Sequence, residues 1–245
     1  MNINIKNILI GKNNIMERVT VINGKRPILL FAPHGFNGDD ENTGLITKHI
    51  ADILNCYAVI NNGWERSENV DSAKDKADCN NVEHCHQDVV KDEILDPLLR
   101  CYHKIKRVHP TAFIFNIHGM SNKHRKIAEN DKLDIVVGYG AGNPNSYTCD
   151  LWRKNCFIYL LHKAGLTVYE GKKGGSMSGW ARNNMNQLFR KWYPAANAQS
   201  MQLEIIYELR QDKDMALLCA EYLAAAMLDL ISSVEFTKNV DFNSY

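Results

Sequence analysis

Two apolar runs in this 245-residue chain end in the same pair of residues, a histidine followed by a glycine. Residues 28–32 lead through Pro33 to His34 and Gly35, and residues 113–117 lead to His118 and Gly119. Imidazole is the commonest nitrogen ligand of a metal ion, and the glycine leaves room beside it for close backbone approach. Behind the first pair stand Asp39, Asp40 and Glu41. A carboxylate five or six residues past His34 can fold back through the turn between Gly35 and Gly38 to the same point. Two histidines and a carboxylate, with a fourth position left for water, form the ligand set of a catalytic Zn²⁺ site. The plainer alternative is two unrelated strand-end histidines bonded to backbone.

A further acid, Glu204, lies between Leu203 and Ile205 inside an apolar run. A carboxylate there is costly to bury unless it is paired or used. Partial desolvation raises its pKa towards the range of a general base. Its structural alternative is an ion pair with Arg210 or Lys213. Weaker signals surround this set. The stretch 171–176 has its glycines in the wrong order for a phosphate loop. It reads either as a surface turn or as backbone near a substrate at Gly174 and Gly175, with Lys172 or Lys173 beside an anion. Arg182 and Arg125 are further anion-binding candidates, and Trp180, Trp192 and Tyr193 are expected to pack under the loops of the site. Cys79, His84, Cys85 and His86 resemble half of a second metal site, but a structural zinc site wants two separated ligand pairs, so a loop and helix start is the better reading. The charged stretches 75–78 and 123–126 read as solvated faces. No Gly-x-Ser-x-Gly elbow occurs, which disfavours a serine hydrolase.

The elements that must position these residues follow from hydrophobic period. Strands are expected over 18–22, 27–32, 57–60, 111–117, 134–137, 166–169 and 201–209. Asn23 and Gly24 between the first two read as a hairpin turn. Helices are expected over 43–54, 87–108, 147–164 and 213–234, with Asn42 as an N-cap and Pro97 kinking or splitting the second. Residues 61–81 form a long polar loop, and loops of that length in compact domains are commonly functional. Gln202, Glu204, Ile206 and Glu208 share one strand face. Strands alternating with helices predict a three-layer α/β sandwich around a central mixed, largely parallel sheet, in which ligands bind at the carboxyl ends of strands. No linker divides the chain, so residues 1–245 are expected to be one domain with a core over about 18–234 and a loose tail over 235–245.

Composition bounds the partners. Hydrophobic residues make up 45% and charged residues 23%, and the formal net charge is +1. Such a chain is globular and has no global field to hold nucleic acid or an anionic membrane. The last helix is interrupted by Asp229, and the N-terminus lacks a signal-peptide core, so no membrane span is expected. Seven irregularly spaced cysteines without a CxxC pair suggest reduced thiols and a cytoplasmic setting.

Four blocks in order resemble the N-formylglutamate amidohydrolase family, related in fold to zinc carboxypeptidases and to poly-γ-glutamate hydrolase. They are Ala32 to Gly35 with the acids behind them, Asn116 to Met120, Asp134 to Gly138, and Gly171 to Gly175 followed by Met201 to Ile205. The likeness spans roughly residues 27 to 232. It implies a phosphorylase/hydrolase-like fold with one Zn²⁺ held by His34, His118 and an acid, Asp40 or alternatively Asp39, with Glu41 third. It implies Glu204 as the carboxylate that takes a proton from water. The family's arginine-rich stretch is partly matched at residues 66–72, where Arg66 can bind a substrate carboxylate bidentately and a second arginine is missing. The implied activity is hydrolysis of an amide C–N bond in a small, carboxylate-bearing N-acyl amino acid or γ-glutamyl-type substrate. A protein that keeps fold and metal but only binds its ligand, and a metal-free interaction module, are the other classes.

Overall fold

The structure, a computed structural model, describes residues 18–36, 38–127, 132–142 and 146–238. One seven-stranded sheet runs through them: β1 (Val19–Ile22), β2 (Ile28–Ala32), β3 (Tyr57–Asn61), β4 (Ala112–Met120), β5 (Ile135–Gly138), β6 (Val168–Glu170) and β7 (Ala198–Ile206), in the order β1-β3-β2-β4-β7-β5-β6. The pairings among β3, β2, β4 and β7 are parallel, as is β5 with β6, while β1 and β5 run against β3 and β7. The sheet is therefore mixed and largely parallel.

Side-chain alternation divides the core. Ile28, Leu30, Phe113, Phe115, Met201 and Leu203 pack on one face with α1 (Thr43–Leu54), α5 (Leu151–Lys163) and α6 (Lys213–Lys238). Leu29, Phe31, Val59 and Ile114 pack on the other with α2 (Val82–Cys85), α3 (Asp88–Val90), α4 (Asp96–Val108) and the stretch from Met185 to Phe189. Because β2 is covered on both faces, its five residues are all buried, as expected of a central parallel strand. Three layers result. By length and apolarity alone α6 has the character of a membrane span, and half of that window is buried within this fold.

Several expectations need correction. The turn at Asn23 and Gly24 makes no hairpin, because β3 lies between β1 and β2. The connection instead crosses the start of β3, with Lys25 and Arg26 N–H groups donating to the Asn55 carbonyl. A Cβ at Gly24 would overlap the backbone of Cys56, so the glycine serves close approach and not a hairpin φ. Asn42 stands at the N-terminus of α1 in a left-handed conformation without capping it by its side chain. Helix α5 starts at Leu151 and not at 147, since Thr148 is tied to the strands by bonds to Tyr139 and Ser200. The helical run before Pro97 is divided as expected, but not broken by a loop: a π-helical turn, Lys91–Leu95, joins α3 to α4. That is a local adjustment of the kind a proline without an N–H imposes on the preceding turn. Strand β7 ends at Ile206, and Tyr207–Leu209 forms a 3₁₀ turn that removes Glu208 from the shared face. Helix α6 continues to Lys238, so residues 235–238 are helical where a loose tail was expected, and residues 239–245, like residues 1–17, lie outside the described residues.

Candidate functional site

The carboxyl ends of β2, β4 and β7 meet at a cavity of about 460 Å³ lined by His34, Asp40, His118 and Glu204. Chain order alone does not bring these residues together; strand register does. In β4 and β7 His118 stands opposite Glu204, and Asn116 opposite Gln202. His34 lies two residues past the end of β2, the neighbour of β4 on its other side. The two imidazole rings lie 5.3 Å apart between centroids, tilted by 59°. Both histidines are almost fully buried, at 2% and 4% exposure.

Four carboxylates surround the pair. Asp39 Oδ2 is 3.1 Å from His34 Nδ1, and Asp78 Oδ1 is 3.5 Å from His34 Nε2. Asp40 Oδ2 faces His118 Nδ1 at 3.5 Å and accepts the Gly119 N–H at 2.9 Å. Glu204 Oε1 accepts from Gln202 Nε2 at 2.6 Å, and Gln202 Oε1 in turn accepts from Asn184 Nδ2 at 3.2 Å. Burial pushes the Glu204 carboxyl above its ordinary value; the His118 charge opposes the rise and the Asp40 charge adds to it. Burial acts in the same direction on Asp40, but the bond and charge of His118, the charge of His34 and the Gly119 N–H outweigh it and hold Asp40 below the usual carboxylate value. The His118 pKa is displaced upward: burial lowers it, and the bond that its ring gives to Asp40, with the charges of Glu204, Asp40 and Asp78, more than compensates.

Among the described residues no group of three His, Cys, Asp or Glu side chains is arranged to hold a metal ion as it stands. The donor chemistry nevertheless fits a divalent cation. His34 Nδ1, Asp39 Oδ2 and His118 Nε2 are buried atoms without a hydrogen-bond partner. His34 Nδ1 and Asp39 Oδ2 approach one another at 3.1 Å without hydrogen-bond geometry, His118 Nε2 has no hydrogen-bond partner, and buried polar atoms left so are costly unless a ligand meets them.

The weaker sequence candidates separate. Arg66 lines the cavity, half-exposed, with its guanidinium 3.9 Å from Asp39. Arg182 is not among the lining residues; its guanidinium rests over the Trp192 ring, whose Nε1 donates to the Arg182 carbonyl. Lys173, Gly174 and Gly175 are also outside the lining, which is made there by Ser176 and Met177. The N–H groups of Gly174 and Gly175 are used internally, on Ala141 and Lys172 carbonyls. Arg125 pairs with Glu208. The cysteine–histidine cluster forms no metal-binding group among the described residues: Cys85 Sγ bonds the Cys79 carbonyl, His84 Nδ1 accepts the Asp78 N–H, and His86 lies between Val82 and Tyr193.

Sequence reasoning assigned Asp78 to a solvated face, and the structure places it in the cavity. The available signal was its position in the long loop that leaves β3 at the same rim as His34. Lys123 and His124, also read as a solvated face, line the cavity as well. Gln202 was seen only as a face-mate of Glu204 and proves to be its hydrogen-bond donor. Glu204 makes no ion pair with Arg210, whose guanidinium is spent on carbonyls.

No family model matches the chain, and no curated protein matches it. Solved structures do. An N-formylglutamate amidohydrolase from Ralstonia eutropha JMP134 is similar over 91% of this chain and 100% of its own, with a TM-score of 0.61 and 13% identity. A bacteriophage poly-gamma-glutamate hydrolase is similar over 87% of this chain and 89% of its own, with a TM-score of 0.51 and 13% identity. A metallo-carboxypeptidase from Burkholderia cenocepacia is similar over 90% of this chain and 67% of its own, with a TM-score of 0.51 and 13% identity. The chain thus has the carboxypeptidase-like α/β fold that these three proteins share.

Proposed function

We propose that the chain is a metal-dependent hydrolase of an amide C–N bond, with zinc as the expected ion. The observation that carries this reading is the meeting of His34, Asp40, His118 and Glu204 in one cavity at the strand ends, with Asp39 against His34. His34 and His118 would hold the ion with one acid. Asp39 suits the third place better than Asp40, because its Oδ2 accepts no hydrogen bond and only approaches His34 Nδ1 at 3.1 Å, whereas Asp40 Oδ2 accepts the Gly119 N–H besides facing His118. Asp40 then acts as the carboxylate that orients a ligating histidine through its other nitrogen. A bound divalent ion polarises a carbonyl and acidifies water. Glu204, its carboxyl raised by burial, takes a proton from the attacking water and delivers it to the leaving nitrogen. Gln202 holds the Glu204 carboxylate towards the cavity.

Arg66 and Lys123 on the cavity wall supply positive charge for a carboxylate on the substrate. The substrate class is a small N-acyl amino acid, N-formylglutamate-like, or a γ-glutamyl-type amide; the names of the similar structures support that choice. The unpaired state of all seven cysteines supports a reducing, cytoplasmic compartment. Glu204→Gln tests the reading. Zinc-loaded wild type should cleave members of an N-acyl and γ-glutamyl panel, and the variant should keep its zinc while losing turnover by about 10²–10⁴-fold. A wild type that takes up zinc and cleaves nothing in the panel would leave a binding protein as the better account.

A further inference from the structure

Arg210 is a buried cation, 4% exposed, outside the acid–base set. Among the described residues its guanidinium makes no ion pair, and its hydrogen bonds go to three backbone carbonyls. Nε donates to Ile205 at 3.2 Å, one terminal nitrogen donates to Glu41 at 2.8 Å, and the other reaches Met120 at 3.4 Å. Each of these carbonyls lies within two residues of the site. Ile205 follows Glu204, Glu41 follows Asp40, and Met120 lies two beyond His118. The guanidinium occupies the space that a Cβ at Gly119 would need, so the second His-Gly glycine makes room for this side chain. The acidic loop answers from its own side, where Asn42 Nδ2 donates to the Arg210 carbonyl at 2.7 Å.

We infer that Arg210 is a positioning residue that fixes the ends of β4 and β7 and the acidic loop to one another, and through them His118, Glu204 and Asp40. A planar fork spreads its donors over three nitrogens in fixed directions and so holds three segments rigidly, whereas a lysine's three donors radiate from one rotatable nitrogen. A buried guanidinium without an ion pair is costly, and among the described residues its hydrogen bonds all go to the three site-bearing segments, with the Tyr207 ring beneath it.

The experiment starts with the metal-free chain. Amide hydrogen exchange is followed at Gly119, whose N–H bonds Asp40, and at Thr43, which bonds the Asp40 carbonyl. In Arg210→Ala exchange should rise about tenfold or more at these amides, the loss expected of one or two charged hydrogen bonds, while amides in β2 and β3 keep wild-type rates. Low millimolar guanidinium ion should restore protection. Gly119→Ala should give the same local pattern by displacing the side chain, and it serves if Arg210→Ala fails to fold. Combined with Arg210→Ala it should add little. Unchanged exchange, or an equal rise across the sheet that guanidinium does not reverse, overturns the inference. A second arm, Co²⁺ affinity by chelator competition, rests on the proposed function. Arg210→Ala should bind Co²⁺ at least about tenfold more weakly, as loss of a ligand-orienting contact does, with guanidinium restoring it. If wild type binds no Co²⁺ while the exchange pattern holds, the functional reading falls and the role of Arg210 stands.

Discussion

At the scale of single residues the site turns on which carboxylate does what. Asp39 and Asp40 are adjacent in sequence, yet their side chains serve different histidines. Asp39→Asn should therefore weaken zinc binding more than Asp40→Asn, whose loss is expected to be about 10–100-fold, as for an orienting carboxylate. Chelator competition on the two variants decides the order, and a larger loss in Asp40→Asn would reverse the assignment. Glu170 offers a stability test far from the site. It pairs with the buried Lys154 and accepts a bond from the Tyr139 hydroxyl at 2.8 Å. Burial raises its carboxyl, but the bonds from Lys154 and Tyr139 and the Lys154 charge lower it more, so the folded pKa lies below the ordinary value. The sign follows: the stabilisation is present above the unfolded value of about 4.3 and fades as pH falls through the lower folded value. Glu170 is about half exposed, so Glu170→Gln should cost about 0.5–1 kcal/mol at neutral pH. Thermal melts of both proteins should converge in strong acid, and a gap that widens there would contradict the sign.

At the scale of elements the decisive features are crossings and registers. The β1–β2 connection passes over the start of β3 with Gly24 against the Cys56 backbone. Gly24→Ala should destabilise by about 1–3 kcal/mol as an overpacking change, measured by urea denaturation; a neutral result would mean that the crossing is looser than described. The parallel register of β4 and β7 sets His118 beside Glu204. Most strands were legible from the sequence because runs such as Ile28–Ala32 carry the continuous apolar signal of a buried parallel strand. The false hairpin arose because Asn-Gly is a local signal, whereas strand order is a non-local outcome. The early start expected for α5 failed for a similar reason: Tyr147 to Asp150 fit the helical pattern, but Thr148 found partners on Tyr139 and Ser200.

At the scale of the whole molecule the site sits on the sheet and does not build it. The two large clusters that cover its faces are apolar and separate from the histidines and carboxylates. Chelation should accordingly leave far-UV circular dichroism unchanged and lower the melting temperature only by linkage, about 2.7 kcal/mol for zinc at one hundred times its Kd. Unfolding on chelation would contradict this independence. The sequence by itself determined the layers, most of the strands and long helices, and the strand-end places of His34 and His118, while Glu204 was joined to them only through the family resemblance. It could do so because hydrophobic period and the strand-end position of polar residues are local properties. Only the tertiary structure decided which acid faces which imidazole, that Asp78 enters the cavity while Arg182 turns away to Trp192, and that Arg210 binds the three segments together. Those outcomes depend on loop paths and strand order, where residues far apart in the chain compete for the same few ångströms, and no spacing along the sequence encodes that competition.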